Sequence, residues 1–199
     1  MKHRIITISR EFGSGGRTIG KKVAQALNIP CYDSELIQQV AEESGFDQDY
    51  IKEAGEYAPG GFWSSAFSHR KGGPSNADYL WKIQYQIITD LAEKRPCVIV
   101  GRCADYILRD KADCLRVFIH ADMDFRAKRI VEVYGEREES PQQRLKDKDK
   151  RRAAYYRFYT DLKWGSAQNY DITLNSATWA SKNARSSFRG CTEREYTVK

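Results

Sequence analysis

Apolar residues along the 199-residue chain follow two alternating patterns. Short β-branched runs at Arg4 to Ser9, Cys97 to Val100, Leu115 to His120 and Asp171 to Leu174, with a weaker one at Pro30 to Asp33, predict strands. Between them apolar positions recur at helical spacing: Ile19, Val23, Ala26 and Leu27; then Leu36, Ile37, Val40 and Ala41; then Leu80, Ile83, Ile87 and Leu91. A fourth set, Phe125, Ile130, Val131 and Val133, predicts a helix over Met123 to Tyr134 with Asp122 as its cap. Strands alternating with helices predict an α/β fold around a mostly parallel five-stranded sheet.

Three stretches break the alternation. Gly45 to Asp78 holds six of the fourteen glycines and reads as a loop-rich insertion, the kind of segment that serves as a binding loop. Glu136 to about Arg152 is densely charged. Ser176 to Lys199 has scattered apolar residues, so an irregular tail is expected over 177–199 in place of a closing helix.

Composition narrows the chemistry. No run approaches the 18 or so apolar residues of a membrane span, and the first nine residues lack a signal peptide's apolar core, so a cytoplasmic protein is expected. With 33 Lys+Arg against 27 Asp+Glu, the net charge of +6 favours anionic partners. Five cysteines (Cys31, Cys97, Cys103, Cys114, Cys191) cannot all pair and form no C-x-x-C, which argues against a disulfide framework or zinc site. The histidines His3, His69 and His120 are isolated, so no His-based metal site is expected.

The sharpest local signal is Arg10 to Thr18, REFGSGGRT, between an apolar strand and an amphipathic helix. Such a turn aims consecutive backbone N–H groups and the positive end of a helix dipole at one point, a natural seat for phosphate. Against the pattern G-x-x-x-x-G-K-[ST], one register puts Gly16-Arg17-Thr18 at its end, with Glu11 at the first glycine and Arg17 at the lysine. A second register, with a K-G-T ending on Gly16-Arg17-Thr18, puts the lysine on Gly16. Both lose the lysine, and Arg17 is the cation expected to replace it, since its planar fork suits phosphate. A purely structural turn is the competing reading.

The loop resembles that of the P-loop nucleoside monophosphate kinases, in particular the cytidylate kinase-like family, and the resemblance extends to about Ser176. It implies a three-layer P-loop fold in one domain: core 1–44 and 91–176, an acceptor-binding insertion near 45–90, and a lid near 135–152. Gly13, Ser14, Gly15, Gly16, Arg17 and Thr18 would then hold ATP, with the Thr18 hydroxyl on Mg²⁺. Cys31-Tyr32-Asp33-Ser34 is similar to the family's L-D-S, which implies that Asp33 and Ser34 lie against the acceptor, although Asp-Ser is also an ordinary helix cap. Gln39 stands where the family has Arg. Gly101-Arg102 is similar to G-R-D, whose Arg binds the acceptor phosphate; a surface ion pair is the alternative, and the Asp is Cys103 here.

Arg144 to Arg152, RLKDKDKRR, carries six basic and two acidic residues and resembles the kinase lid and its helix. Lys148, Arg151 and Arg152 would close over the transferring group, where charge spreads over three oxygens; a solvated charged face is the plainer alternative. The aromatic stretch Ala154 to Tyr159 and Trp164 reads as packing of a helix on the sheet. Together these features imply ATP-dependent phosphoryl transfer to a nucleoside monophosphate, CMP or dCMP by resemblance, or to another small phosphorylated acceptor, with two alternatives: a nucleotide-binding regulatory protein without turnover, or a P-loop kinase of another small-molecule, non-nucleotide acceptor. No membrane partner is expected, and nucleic acid is the weakest of the anionic candidates, because the basic cluster is interleaved with acids.

Overall fold

Strand β1 (Ile5–Arg10) lies at the centre of a five-stranded parallel sheet with β2 (Cys31–Tyr32), β3 (Cys97–Val100), β4 (Cys114–His120) and β5 (Ile172–Asn175), in the order β2-β3-β1-β4-β5. The computed structural model describes residues 4–33, 42, 43, 45, 76–111 and 113–180. All strand pairings are parallel, with Ile5 opposite both Cys97 and Cys114, and Ile8 opposite Val100 and Val117. Alternation along the strands separates two cores. Ile5, Cys97, Ile99 and Cys114 face one layer with Leu80, Ile87, Ile88 and Leu91, while Ile6, Ile8, Val98, Val100, Val117 and Ile119 face the other with Val23 and Ala24. A strand buried on both faces has to be apolar almost throughout, which is why these runs stand out in the sequence.

The helices are α1 (Gly16–Leu27), α2 (Asn76–Lys94), the short α3 (Ala104–Ile107), α4 (Met123–Tyr134), α5 (Pro141–Thr160) and α6 (Ser176–Ala180). Helix α4 has the boundaries its periodicity predicts, starting after Asp122. Helix α2 takes up the C-terminal part of the stretch expected as an insertion: from Asn76 the chain is helical, and its apolar face closes one core. Much of the charged passage is the first half of α5, a continuous 20-residue helix started by Ser140, whose hydroxyl accepts from the Gln143 N–H at 3.3 Å, and by Pro141 at its first position.

The tail expectation is corrected at its start. Residues 176–180 are helical because the Asn175 side chain accepts the Ala177 N–H at 3.0 Å and Ser176 is buried. The helix expected on Leu36 to Ala41, Ser34, Gln39, residues 46–75 of the expected insertion and residues 181–199 lie outside the described residues.

Candidate active site

The carboxyl ends of β1, β2 and β3 converge on a cleft of about 340 Å³. Each strand delivers a charged residue at its end: Arg10 from β1, Asp33 after β2 and Arg102 after β3. This is where open α/β sheets bind ligands, since the chain leaves β1 toward β2 and the adjacent β3 toward β4, in opposite directions. Gly13, Gly15, Gly16 and Arg17 form one wall; Arg129 of α4 and Arg152 of α5 complete it, with Tyr155, Tyr156 and Trp164 as aromatic surface.

The glycine loop bends sharply before α1. Gly13 and Gly15 take φ of 80° and 81°, a region that costs any other residue backbone strain, and α1 begins at Gly16 with Gly15 as its cap. The first amides of a helix have no partner within it, and Gly15 and Gly16 lie in the cleft wall. Ser14 turns inward instead. Its hydroxyl is shared between the carbonyls of Glu11 (2.9 Å) and Ile119 (3.1 Å), its N–H donates to Glu11 at 3.3 Å, and its carbonyl accepts the Ser176 hydroxyl at 2.7 Å.

A buried ion network fixes the loop from behind. Arg126, 6% exposed, donates to the carbonyls of Ala121 (2.9 Å) and Phe12 (3.1 Å) and pairs with Asp149 at 2.6 Å and Glu11 at 3.3 Å. Asp149 also accepts the Phe12 N–H at 2.7 Å, so one carboxylate on α5 holds both the loop backbone and the arginine beneath it. After β3, Gly101, Arg102 and Cys103 take φ of 78°, 57° and 53° in succession. Two consecutive non-glycine residues in the left-handed region are costly, and such strain gathers at functional sites. The bend is held by Gln84, which donates to the Arg102 carbonyl at 3.1 Å.

The expected site residues divide into groups. Gly13, Gly15, Gly16, Arg17, Asp33, Arg102 and Arg152 line the one cleft. Arg17 is ion-paired with Asp33. Thr18 is exposed at the start of α1 and its hydroxyl accepts from Arg129 at 3.1 Å. Lys148 and Arg151 line an adjoining cavity with Arg137, Arg144 and Asp147, across the stacked rings of Phe12 and Tyr134. Lys148 and Arg152 are one helical turn apart, about 40° around the axis, yet Lys148 lines the adjoining cavity while Arg152 lines the cleft and donates to the Arg10 carbonyl at 3.3 Å.

Sequence reasoning missed Arg10, Arg129 and Asp105. Arg10 was legible only as the first residue of the glycine turn, whereas it ends β1. Arg129 follows Arg126 by one helical turn, a spacing that places both on one side of α4 without saying what they face. Asp105 is buried beneath the cleft and accepts hydrogen bonds from Ser9 (3.0 Å) and Tyr156 (2.8 Å); burial pushes its carboxyl above the usual carboxylate range, against the pull of those two hydroxyls. Burial also raises the thiols of Cys97 to about 11 and Cys114 to about 12, and that of Cys103 well above its ordinary value, so none of the three is a thiolate nucleophile at neutral pH. Among the described residues no group of three or more His, Cys, Asp or Glu is placed to hold a metal ion, and no helix is long and apolar enough to cross a membrane.

Residues 5–178 match the cytidylate kinase-like family. A cytidylate kinase of Haloarcula marismortui is 26% identical over 177 residues, covering 88% of this chain and 82% of that protein. Among solved structures, an uncharacterized protein from Eubacterium ventriosum is 30% identical with a TM-score of 0.68, covering 96% of this chain and 99% of the other. A shikimate kinase from Acinetobacter baumannii in complex with shikimate has a TM-score of 0.52 at 14% identity, covering 96% and 95% of the two chains, a likeness of fold alone.

Proposed function

Because this chain belongs to the cytidylate kinase-like family, we propose that it transfers the γ-phosphoryl group of ATP to a nucleoside monophosphate, with CMP or dCMP as the acceptor. The observation that carries this reading is the convergence of Arg10, Arg17, Arg102, Arg129 and Arg152 with the glycine loop on one cleft. A group whose transition state spreads negative charge over three oxygens needs fixed cations and amide dipoles around it, and little else from the protein.

In this reading the first amides of α1, at Gly15 and Gly16, face the donor's β-phosphate, with Gly13 shaping the loop. Ser14 serves as an internal brace. Arg102, held at the end of β3, takes the acceptor phosphate on the side where Asp33 meets the acceptor. Arg17 and Arg129 flank the donor phosphates, and Arg152 approaches from α5 across the Arg10 carbonyl. Lys148 and Arg151 add positive potential from the adjoining cavity and are not assigned a contact. Tyr155 and Trp164 provide flat apolar surface on which a base can lie while water is excluded.

The donor is taken as the Mg²⁺ complex of ATP. Thr18, at the start of α1, would offer its hydroxyl to this cation. Held there, the cation would supply charge neutralisation to the donor phosphates.

A reading without turnover is favoured by one observation, the pairing of the loop-adjacent Arg17 with Asp33. Isothermal titration with ATP and ADP, run beside a coupled assay over the nucleoside monophosphates and small non-nucleotide acceptors, separates the readings. Turnover with CMP or dCMP above other acceptors is expected. Tight ATP binding with no turnover on any acceptor would leave a binding protein, and turnover confined to a non-nucleotide acceptor would move the chain to another kinase class.

A further inference from the structure

The missing lysine has a structural counterpart at the other end of the loop. In the second register, whose K-G-T ending falls on Gly16-Arg17-Thr18, the first glycine of the pattern falls on Arg10, the next on Gly15, the lysine on Gly16 and the glycine after it on Arg17. The chain has the two residue types exchanged, a cation where the pattern has glycine and glycine where it has a cation. The start of α1 at Gly16, after left-handed Gly15, fits this register.

Contact makes the exchange mutual. A Cβ on Gly16 would lie 2.5 Å from the Arg10 Cβ and 2.9 Å from its Cγ, closer than such atoms ever stand, so no side chain fits at 16 while Arg10 occupies the strand end. The Arg10 side chain then runs across Gly101, where a Cβ would meet its Nη1 at 2.0 Å and its Cζ at 2.9 Å. Two glycines from different elements thus leave a channel that this one arginine fills. Its guanidinium ends 4.0 Å from Asp33 in the cleft wall, with its side chain 21% exposed.

We propose that Arg10 binds the donor phosphates in place of the lysine, delivering from the end of β1 the charge that the pattern delivers from the start of α1. This rests on the kinase reading of the cleft. Arg17 is a poorer substitute, because its side chain is 49% exposed and it takes the nearer pairing with Asp33, which Arg10 approaches only to 4.0 Å. Arg10 is walled in by backbone on two sides, so little side-chain entropy remains to be lost when a phosphate meets its planar fork.

Binding of ATP with Mg²⁺ to four proteins, by isothermal titration, tests this: wild type, Arg10→Met, Arg10→Lys and the exchange variant Arg10→Gly/Gly16→Lys. Thermal unfolding of each is recorded alongside. Arg10→Met keeps the stem that fills the channel and removes the charge, so it should fold as wild type does and bind about tenfold or more weakly, the scale of a charge-assisted contact. Arg10→Lys should bind more tightly than Arg10→Met. The exchange variant returns glycine to position 10 and lysine to position 16, with Arg17 unchanged after it, and should recover to within about threefold of wild type. Arg10→Met binding within threefold of wild type at an unchanged melting temperature overturns the inference, as does equal binding by the Met and Lys variants. Failure of the wild type itself to bind ATP would defeat the kinase reading; wild-type binding indifferent to residue 10 defeats only the role given to Arg10.

Discussion

Asp105 brings a carboxyl to a position only 2% exposed, where it meets two hydroxyl donors, Ser9 and Tyr156. Burial raises its pKa, so the folded protein favours the neutral acid. The contribution of this group to stability is then complete below the ordinary carboxylate pKa of about 3.9 and is lost as pH rises through the raised native value. Asp105→Asn cannot ionise, so its melting temperature relative to wild type should become more favourable from about pH 4 to about pH 8; a flat difference would show that the carboxyl is not perturbed. The buried thiols give a second expectation at this scale. Cys97, Cys103 and Cys114 should resist alkylation in the native protein at about pH 8 and react on denaturation, as burial and raised pKa require. Residue chemistry of this kind was half legible in the sequence. Cys97 and Cys114 open apolar runs and read as small buried hydrophobes, whereas nothing near Asp105 in the chain announces Ser9 or Tyr156, which are 96 and 51 positions away.

At the scale of elements, α5 and the glycine loop behave as one unit because Asp149 joins them. Its carboxylate takes the Phe12 N–H and the Arg126 guanidinium, and the Arg126 side chain is only 7% exposed. Removing one member of a buried pair leaves the other charge unpaired, typically at a cost of about 3–5 kcal/mol. With Asp149 at 18% side-chain exposure, the lower end applies. Asp149→Ala should therefore lower the melting temperature by roughly 6–12 °C for a chain of this size. It should also weaken ATP binding, since Phe12 loses the contact that sets the loop. Lys148→Ala, one residue away and facing the adjoining cavity, should leave the melting temperature nearly unchanged. Equal effects from the two substitutions would remove the clamp from the account. The helix itself was legible as a charged run, but its direction was not. The basic residues drew the eye, while the acid between them makes the decisive contact, and only the 137-residue separation of Phe12 and Asp149, closed by the fold, reveals it. Elements with one strong period, such as β1 and α4, were read with near-correct ends because burial on both faces or on one stripe dictates their residues locally.

For the whole molecule, the net charge of +6 is distributed unevenly. Five arginines and two carboxylates, Glu11 and Asp33, line the main cleft, so a net three positive charges stand at the carboxyl ends of the strands. A concave site of one sign focuses its field and raises the local concentration of an anion. Much of that field comes from partly exposed groups, which salt screens over a Debye length of about 10 Å at 0.1 M. ATP affinity should therefore fall several-fold as KCl is raised from about 50 mM to about 300 mM. The loss should be smaller in Arg17→Ala, which removes a half-exposed charge, than in wild type. Turnover of Arg17→Ala within about threefold of wild type would take that residue out of the mechanism, since one transition-state contact is commonly worth a hundredfold. Salt-insensitive binding would mean that the arginines balance internal acids and do not receive phosphate. The two measurements together separate a cleft built to attract an anion from one built to hold its own strands together.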